Sequence, residues 1–245
     1  MEEIASNDQN MESQVILLDK PSGISSFGCV AKVRGFLRER FGHKVKVGHT
    51  GTLDPFATGL LILLCGKMTK KSGDFLKLDK EYIATLRLGY VSSTGDPEGE
   101  IRKYNDGKIC PTIDDVRGIL NYFEGKIVQT PPKFSAIKIN GERAYKLARK
   151  GAEFEMPSRE VEIYKIEILR YDWPELEIKC FVSSGTYIRT LAEDIGEKLG
   201  VGAYLTALRR TKVGEFSVEE AVGLEALCQD SPINRKNMVH RLTNM

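Results

Sequence analysis

Residues 47–66 constrain the fold of this chain more than any other stretch, because they join a tight loop to a strongly apolar run. The loop contains the turn-forming residues Gly48, Gly51 and Pro55, and the apolar run occupies residues 60–65. An unbroken apolar run of this length, bounded by turn residues, is typical of a strand that is covered on both faces. We therefore predict a buried strand that the chain enters through a tight loop.

The loop carries the polar side chains His49, Thr50, Thr52 and Asp54. The neighbouring glycines and proline leave the Asp54 carboxylate little conformational freedom, and a nucleophile or a general base requires such restraint. For each residue taken alone, an ordinary interpretation stays open. An aspartate before a proline commonly accepts a backbone N–H in a turn, and a lone histidine is common in loops.

The composition is that of a globular chain with no membrane span. Of the 245 residues, 41% are hydrophobic, and no apolar run approaches the roughly 18 residues that a bilayer requires. The first thirteen residues carry four acids and no basic residue, a composition that fits neither a signal peptide nor a transit peptide. We expect residues 1–13 to form a disordered tail and the protein to be cytoplasmic.

The cysteines and histidines give no sign of a metal site. The five cysteines are dispersed without a C-x-x-C pair, which indicates reduced thiols, several of them buried. The three histidines, at positions 43, 49 and 240, lack the spacing of metal ligands. We expect neither a metal nor a cofactor.

Hydrophobic periodicity predicts alternating strands and helices along the rest of the chain. We expect strands at 15–18, 80–89, 161–171, 175–183 and 202–213, and helices from Ser25 or Ser26 to Phe41, at 112–123 with Thr112 as N-cap, at 184–199, and more weakly at 216–227.

Three groups of basic residues stand out, although the net charge is only +2. Cations that cluster on one surface can bind nucleic acid at a low net charge. One group lies at 32–46 and a second at 67–71. The third lies in residues 129–151, where Phe134 and Tyr145 alternate with basic residues. Basic and aromatic residues together are typical of RNA binding, but a solvated basic helix would have the same composition. Asn140-Gly141 within it could turn a hairpin or end a loop.

Arg189 follows a predicted strand-to-helix turn at Ser184-Gly185. Such a junction often delivers side chains to a binding cleft. A first-turn arginine on the surface is the ordinary alternative, since most arginines are exposed.

Five separated stretches resemble the TruB family of tRNA pseudouridine synthases, and a sixth matches near the end. Together they cover about residues 14–217 in the order that the family has them. They are D-K-P-S-G-I-S-S at 19–26, G-H-T-G-T-L-D-P-F-A-T-G at 48–59, K-E-Y-I-A at 80–84, Q-T-P-P-K-F-S-A-I-K at 129–138, S-G-T-Y-I-R-T-L at 184–191 and L-R-R-T-K-V-G-E-F at 208–216.

The resemblance implies an α+β pseudouridine synthase fold, with a mixed, mostly antiparallel sheet that is flanked by helices. It implies a catalytic domain at 14–230 with an inserted thumb segment at 129–151, followed by a tail at 231–245. Many bacterial members carry a C-terminal PUA domain, and too few residues follow Phe216 for one here. The implied activity is isomerisation of uridine 55 in the T loop of tRNA to pseudouridine.

The resemblance also assigns roles to individual residues. Asp54 matches the essential aspartate, Tyr82 the tyrosine that stacks on the target base, and Arg189 the arginine that pairs with the aspartate. The expected substrate-binding residues are His49, Tyr187, Leu208, Lys20 and Asp96. The expected RNA-binding residues are Lys133, Lys138, Arg143, Lys146, Arg149, Lys150 and Arg209.

These residue types suit the chemistry of such a reaction. A base in a folded loop must be flipped out before it can react, and an aromatic ring can stabilise it by stacking. A carboxylate can trap or stabilise the sugar carbon, and a nearby guanidinium supports its ionised form. Either Tyr82 or Asp54 could act as the late general base. The implied partner is the T arm of tRNA, with no obligate protein partner and a monomeric chain.

Two alternatives stay open besides this enzyme. One is an RNA chaperone whose site is incidental, and the other is a guide-RNA-dependent synthase of the dyskerin kind. The presence of Asp54, Tyr82 and Arg189 together favours an enzyme over the chaperone. The missing PUA domain and the short N-terminus count against the guide-dependent synthase, so we expect the stand-alone enzyme. One departure is Phe56, where the family more often has leucine; the change is conservative.

Overall fold

A computed structural model describes residues 13–104 and 109–228. Apart from Ser13, the expected tails at 1–13 and 231–245 lie outside the described residues. The last two residues of the expected 14–230 domain lie outside them as well. The chain divides into two compact units. Unit one comprises Met1–Leu78 and Arg209–Met245, and unit two comprises Asp79–Leu208.

Strands and helices alternate along the chain. The strands are β1 (Val15–Lys20), β2 (Val47–His49), β3 (Thr58–Cys65), β4 (Lys80–Leu88), β5 (Tyr90–Ser92), β6 (Ile101–Lys103), β7 (Gly125–Gln129), β8 (Lys138–Ile139), β9 (Glu142–Arg143), β10 (Arg159–Asp172), β11 (Glu175–Val182), β12 (Ala203–Val213), β13 (Phe216–Ser217) and β14 (Val222–Gly223). The α-helices are α1 (Ser26–Phe41), α2 (Ser72–Leu76), α3 (Ile113–Phe123), α4 (Ala144–Arg149), α5 (Ile188–Lys198) and α6 (Leu224–Cys228), with 3-10 turns at Gly66–Lys71 and Val218–Glu220.

Unit one is built around β3, the apolar strand that the sequence predicts. Every residue of β3 after Thr58 is buried. β3 pairs with β1 and β2 in antiparallel fashion, and with the last part of β12 in parallel. Alternate β3 residues pack with Val15, Leu17, Phe75 and Phe216 in the core. The predicted buried strand is therefore confirmed.

Helix α1 covers this part of the sheet and has well-defined ends. Ser25 is its N-cap and accepts the N–H of Gly28, so the cap is Ser25 rather than Ser26. The helix ends at Gly42, whose φ of 72° is left-handed and favours glycine. The next serine, Ser26, is buried and serves the loop before β3 instead.

Unit two is an antiparallel sheet in the order β4-β11-β10-β7. Along β4, buried and half-buried residues alternate as the sequence predicts. Helix α3 begins at its predicted N-cap, Thr112, in a capping box with Asp115. With the mixed pairing in unit one, these strands and helices confirm the α+β class and the mixed, mostly antiparallel sheet.

Two predicted helices differ from the structure. The helix expected at 216–227 is wrong for most of its length, since β13, a 3-10 turn and β14 precede the short α6. Val222 pairs in parallel with Leu18, so sheet pairing overrides the local helical pattern. The helix expected from 184 begins only at Ile188, and residues 184–186 form the preceding turn.

The thumb segment, residues 129–151, contains a hairpin followed by one short helix. Strands β8 and β9 pair across Asn140 and Gly141, whose φ angles are 50° and 88°. Positive φ at both central residues is the geometry that an Asn-Gly hairpin turn favours. Of the two possibilities for Asn140-Gly141, the structure therefore has the hairpin, and α4 follows it directly.

Cys29, Cys65 and Cys180 are buried free thiols, as expected, whereas Cys110 and Cys228 are exposed. Burial raises the pKa of Cys65 and of Cys180 to about 12. Among the residues that the structure describes, no helix is long and apolar enough to cross a bilayer.

Candidate active site

Asp54 lies half-buried in the loop between β2 and β3 of unit one. The N–H of Ala57 donates to the carbonyl of Asp54 at 3.1 Å and closes a turn over Pro55 and Phe56. The N–H of Thr50 donates to the carbonyl of Ile62 at 3.0 Å, which fixes the start of the loop to β3. The loop is therefore ordered by its own backbone.

Both neighbours of Asp54 are held by residues before and at the start of α1. The Ser26 hydroxyl donates to the carbonyl of Leu53 at 2.9 Å and accepts its N–H at 2.8 Å. On the other side, the carbonyl of Pro55 accepts the N–H of Gly23 at 2.8 Å. The Asp54 backbone thus lies between two fixed points, as a positioned carboxylate requires.

Lys20, an expected substrate-binding residue, is a structural support of this loop. Its side chain is 0% exposed. Its Nζ donates to the carbonyls of Pro21 at 2.9 Å, Ile24 at 2.7 Å and Pro55 at 3.2 Å. A buried ammonium needs such partners, because an unsatisfied buried charge is very costly.

Arg210 is a second buried cation beside the loop, and the sequence analysis did not single it out. It is 2% exposed. Its Nε donates to the carbonyl of Leu60 at 2.7 Å and its Nη2 to that of Gly51 at 3.2 Å. Gly59 has a φ of +101°, and a Cβ there would lie 2.3 Å from the carbonyl oxygen of Arg210. Only glycine allows this close approach of β12 to β3.

Arg209 points to the opposite side of the strand. Its guanidinium donates to both carboxylate oxygens of Asp19, at 3.0 and 2.8 Å, and the side chain is 40% exposed. Successive strand residues face opposite sides, so this alternation is the sequence signal that could have placed one arginine of the pair inside. The RNA-binding role expected for Arg209 stays a prediction.

Arg189 lies in the first turn of α5 in unit two and is 4% exposed. The surface alternative is therefore excluded. Its Nη1 donates to Asp96 Oδ2 at 3.1 Å and to the carbonyl of Thr94 at 3.0 Å. Its Nη2 donates to the carbonyl of Phe134 in the thumb segment at 2.7 Å. The pairing of Arg189 with Asp54 stays a prediction, since the two residues belong to different units.

Asp96 is held as firmly as its arginine. It is buried, and its Oδ1 accepts the Thr94 hydroxyl at 2.6 Å and the N–H of Glu98 at 3.0 Å. Two of the residues that the sequence singles out, Asp96 and Arg189, are thus brought together as a buried ion pair. Further hydrogen bonds support both members, as a buried pair requires.

Glu193 is one helical turn after Arg189 and was missed by the sequence analysis. Burial raises the pKa of Glu193 to about 7, while the charge of Arg189 opposes the rise. A Cβ on Gly95 would lie 2.6 Å from Glu193 Oε1, so this carboxyl packs against the loop that carries Asp96. A single acid in a helix gives no sequence signal of such an environment.

Tyr82, Leu208 and Tyr187 also lie in unit two. Tyr82 and Leu208 are buried. Tyr82 is the register partner of Cys180 across β4 and β11. Tyr187 is half-buried, with the guanidinium carbon of Arg159 4.9 Å from its ring centroid. His49 pairs with Leu63 at the end of β2 in unit one. Their contacts with a base stay predictions.

The thumb segment carries its cations on the surface. All six of them are exposed: Lys133, Lys138, Arg143, Lys146, Arg149 and Lys150. Three already have partners within the segment: Lys150 binds Glu142 at 2.8 Å, Arg149 lies 5.7 Å from the ring centroid of Tyr145, and Arg143 donates to the carbonyl of Ala136. Phe134 is exposed beside them. Such a surface can bind phosphates.

Two family models match this chain in succession. Residues 38–188 match the model described as TruB family pseudouridylate synthase (N terminal domain). Residues 189–242 match the model described as tRNA pseudouridylate synthase B C-terminal domain.

Curated relatives agree with the family models. The chain is 46% identical to the tRNA pseudouridine synthase B of Nitrosomonas europaea over 91% of its own length and 71% of that protein. It is 46% identical to that of Aquifex aeolicus, covering 86% of this chain and 71% of the relative. It is 48% identical to that of Bordetella avium, covering 87% and 86%.

Solved structures agree on the fold. A chain in the crystal structure of a Cbf5-Nop10-Gar1 complex matches with a TM-score of 0.70 and 31% identity, over 90% of this chain and 55% of that one. A chain in an H/ACA RNP bound to a substrate RNA containing 2'-deoxyuridine matches with a TM-score of 0.67 and 28% identity, over 91% and 54%. This chain thus spans about half the length of those two. Fold and matches together define a pseudouridylate synthase. Within that class, the chain belongs to the TruB family.

Proposed function

We propose that this chain isomerises uridine 55 in the T loop of tRNA to pseudouridine, with Asp54 as the essential carboxylate. The observation that carries the proposal is the loop around Asp54, whose two neighbours, Leu53 and Pro55, are both fixed by hydrogen bonds. Membership of the TruB family, with relatives of about 46% identity named tRNA pseudouridine synthase B, supports the substrate.

The reaction exchanges one bond for another at the sugar. The C1'–N1 bond breaks and its electron pair leaves with the uracil, while Asp54 traps or stabilises the electron-poor C1'. The uracil rotates, and C5 supplies an electron pair to a new C5–C1' bond. A base then removes the C5 proton, and N1 ends with a proton. Tyr82 and Asp54 are the two candidates for this base.

The remaining roles are those that the resemblance to the TruB family implies. Tyr82 supplies an aromatic face for the flipped base, with His49, Tyr187 and Leu208 around the nucleotide. Lys20 supports the Asp54 loop from below the surface. Asp96 acts through Arg189, to which it is bonded. The exposed cations of the thumb segment bind phosphates of the T arm.

We place the catalytic domain at residues 14–230, with tails before and after it, and expect it to act as a monomer. The cytoplasm is its expected location, because tRNA is modified there. No protein partner is needed for the chemistry of the described residues.

The direct test measures tritium release from tRNA that carries tritium at uridine C5. The C5 hydrogen must leave, so release reports turnover. We expect release by the wild-type protein, none by Asp54→Asn, and equal tRNA affinity for both. Asp74→Asn is the matched control, since it makes the same change at an exposed carboxylate of unit one.

Two outcomes would contradict the proposal. Binding of tRNA without release by the wild-type protein would favour the RNA chaperone. Release that depends on an added guide RNA would favour the guide-dependent synthase.

A further inference from the structure

Gln129 is a buried polar residue to which neither the sequence analysis nor the proposed mechanism gives a role. It is the last residue of β7 and is 1% exposed. Its Oε1 accepts the N–H of Tyr187 at 3.0 Å, and its Nε2 donates to the carbonyl of Tyr187 at 3.3 Å. One side chain thus binds both backbone groups of a residue 58 positions away in the chain.

Tyr187 is the N-cap of α5, the helix that carries Arg189. Most helices begin at a serine, threonine, aspartate or asparagine whose side chain binds the first turn. Tyr187 makes no such side-chain hydrogen bond. The Gln129 amide therefore fixes the residue from which the helix starts, although it lies outside the helix.

Gln129 is itself firmly held. Its backbone is in register with Arg159 in the pairing of β7 with β10. Arg159 also donates to the carbonyl of Gly185 and places its guanidinium over the ring of Tyr187. The strand pair thus presents two side chains to the turn before α5.

The residues that follow Gln129 contact the same helical turn. The carbonyl of Phe134 accepts from Arg189 Nη2 at 2.7 Å, and the carbonyl of Thr130 accepts from the Thr190 hydroxyl at 3.5 Å. The first part of the thumb segment therefore binds the N-cap, the arginine and the next residue of α5.

We propose that Gln129 is a positioning residue, which sets the direction of the Arg189 side chain by fixing Tyr187 at the start of α5. This inference rests on the proposed function, because the position of Arg189 matters only if the chain is a synthase. Arg189 lies two residues after the anchored backbone, so a rotation of Tyr187 displaces its guanidinium. A displacement of about 1 Å can lower a rate about a hundredfold.

Two substitutions remove different parts of the contact. Gln129→Leu removes both hydrogen bonds, so the N–H and the carbonyl of Tyr187 lose their contacts with residue 129. Gln129→Glu keeps an acceptor for the N–H, but it places a carboxylate against the carbonyl. A protonated carboxyl has one donor and one acceptor, as an amide does, and burial raises the pKa of such a carboxyl. Acid should therefore restore the contact only in Gln129→Glu.

The experiment measures single-turnover tritium release and tRNA dissociation constants between pH 5.5 and 8. Thermal unfolding at each pH restricts the comparison to folded protein. Val128→Ala is the matched control, because Val128 precedes Gln129 on β7 and is 71% exposed. At pH 8 we expect both Gln129 variants to react about 10- to 100-fold more slowly than wild type. Their tRNA dissociation constants should change less than about threefold, since the thumb cations are untouched.

At pH 5.5 we expect the rate of Gln129→Glu, relative to wild type at the same pH, to recover about tenfold, while that of Gln129→Leu does not recover. Wild-type rates in both folded variants would overturn the inference, as would a loss that appears only in tRNA affinity. An equal rate deficit for Gln129→Glu at both pH values would also overturn it. Failure of the proposed function is distinct, because then the wild-type protein itself releases no tritium.

Discussion

Each unit contains buried cations beside residues that the sequence singles out, but the two units satisfy these cations differently. In unit one, Lys20 and Arg210 lie beside the Asp54 loop and donate to backbone carbonyls. In unit two, Arg189 donates to a buried carboxylate, that of Asp96, besides two carbonyls. The first arrangement leaves positive charge next to the loop that holds the Asp54 carboxylate. The second balances its charge within the unit.

This difference predicts which unit loses more stability when one partner of a buried cation contact is removed. Removal of a donor from neutral carbonyls leaves unsatisfied polar groups, which cost about 1–3 kcal/mol. Removal of one member of a buried ion pair leaves an uncompensated charge, which costs about 3–5 kcal/mol. Unit two should therefore be the more sensitive to single substitutions.

The largest effect is expected for Asp96→Ala in unit two. It leaves Arg189 buried without its carboxylate, and it should lower the free energy of unfolding by about 3–5 kcal/mol and abolish turnover. Urea denaturation measures the first and tritium release the second. Asp114→Ala is the control, because its pair with Arg117 is exposed and should contribute less than about 1 kcal/mol. Equal losses of unfolding free energy for Asp96→Ala and Asp114→Ala would contradict the expected difference between the buried and the exposed ion pair.

A smaller effect is expected for Arg210→Met in unit one. It leaves the carbonyls of Leu60 and Gly51 without this donor and should cost about 2 kcal/mol of unfolding free energy. Turnover should fall because the Asp54 loop loosens. Arg209→Met is the adjacent control for stability, since its pair with Asp19 is half-exposed and such pairs contribute about 0–1 kcal/mol. A larger loss for Arg210→Met than for Asp96→Ala would reverse the comparison.

Glu193 gives a pH-dependent test of unit two. Burial raises its pKa in the folded protein to about 7, above the ordinary value of 4.5, so the folded state holds the proton more tightly than the unfolded state. Stability is therefore lost as pH rises from about 4.5 to 7. Glu193→Gln should stabilise the protein at pH 8 by about 1 kcal/mol, a value reduced for partial exposure, and flatten this slope.

Unfolding midpoints between pH 5 and 8 measure this effect. Glu225→Gln, at an exposed position of α6 in unit one, should leave the slope unchanged. If the slope persists in Glu193→Gln, another group causes the pH dependence. The nearest such group in sequence is Asp194, whose pKa burial raises to about 6.

The smallest effect on stability is expected in the thumb segment, away from the buried cations that the two units contain. Lys146 is exposed, so Lys146→Ala should leave stability unchanged and weaken tRNA binding a few-fold. The slope of log affinity against log salt should decrease by about 1. Salt titrations measure this slope, with Lys165→Ala on β10, an exposed lysine paired with Glu167, as control. An unchanged slope for Lys146→Ala would place the phosphates elsewhere.

Local patterns in the sequence predicted much of the fold. The buried strand β3, the alternating strand β4 and the capped helix α3 each follow from a signal within a dozen residues. The exposure of the thumb cations followed in the same way, because clustered charge cannot be buried without partners. The motifs also predicted the family, and the structure brings Arg189 and Asp96 of that set together.

The contacts of Arg210 and Gln129 could not be predicted from the sequence, because their partners are distant in the chain. Arg210 binds a carbonyl 150 residues away, and Gln129 binds one 58 residues away. Nothing next to Gln129 indicates that it is buried, and the alternation along β12 predicts that one of Arg209 and Arg210 is buried without telling which. The helix expected at 216–227 failed for the same reason, since Val222 pairs with a strand from the beginning of the chain.

The origin of unit one from both ends of the chain has a consequence during translation. On the ribosome, Leu60 is made 150 residues before Arg210, and Asp19 is made 190 residues before Arg209. A nascent chain that ends before these arginines has Asp54 in a loop that lacks the hydrogen bonds of Arg210. Contacts of such long range are the slowest to form. We expect the enzyme to gain activity only after Arg210 has been synthesised, so that chains truncated before it do not compete with finished enzyme for turnover.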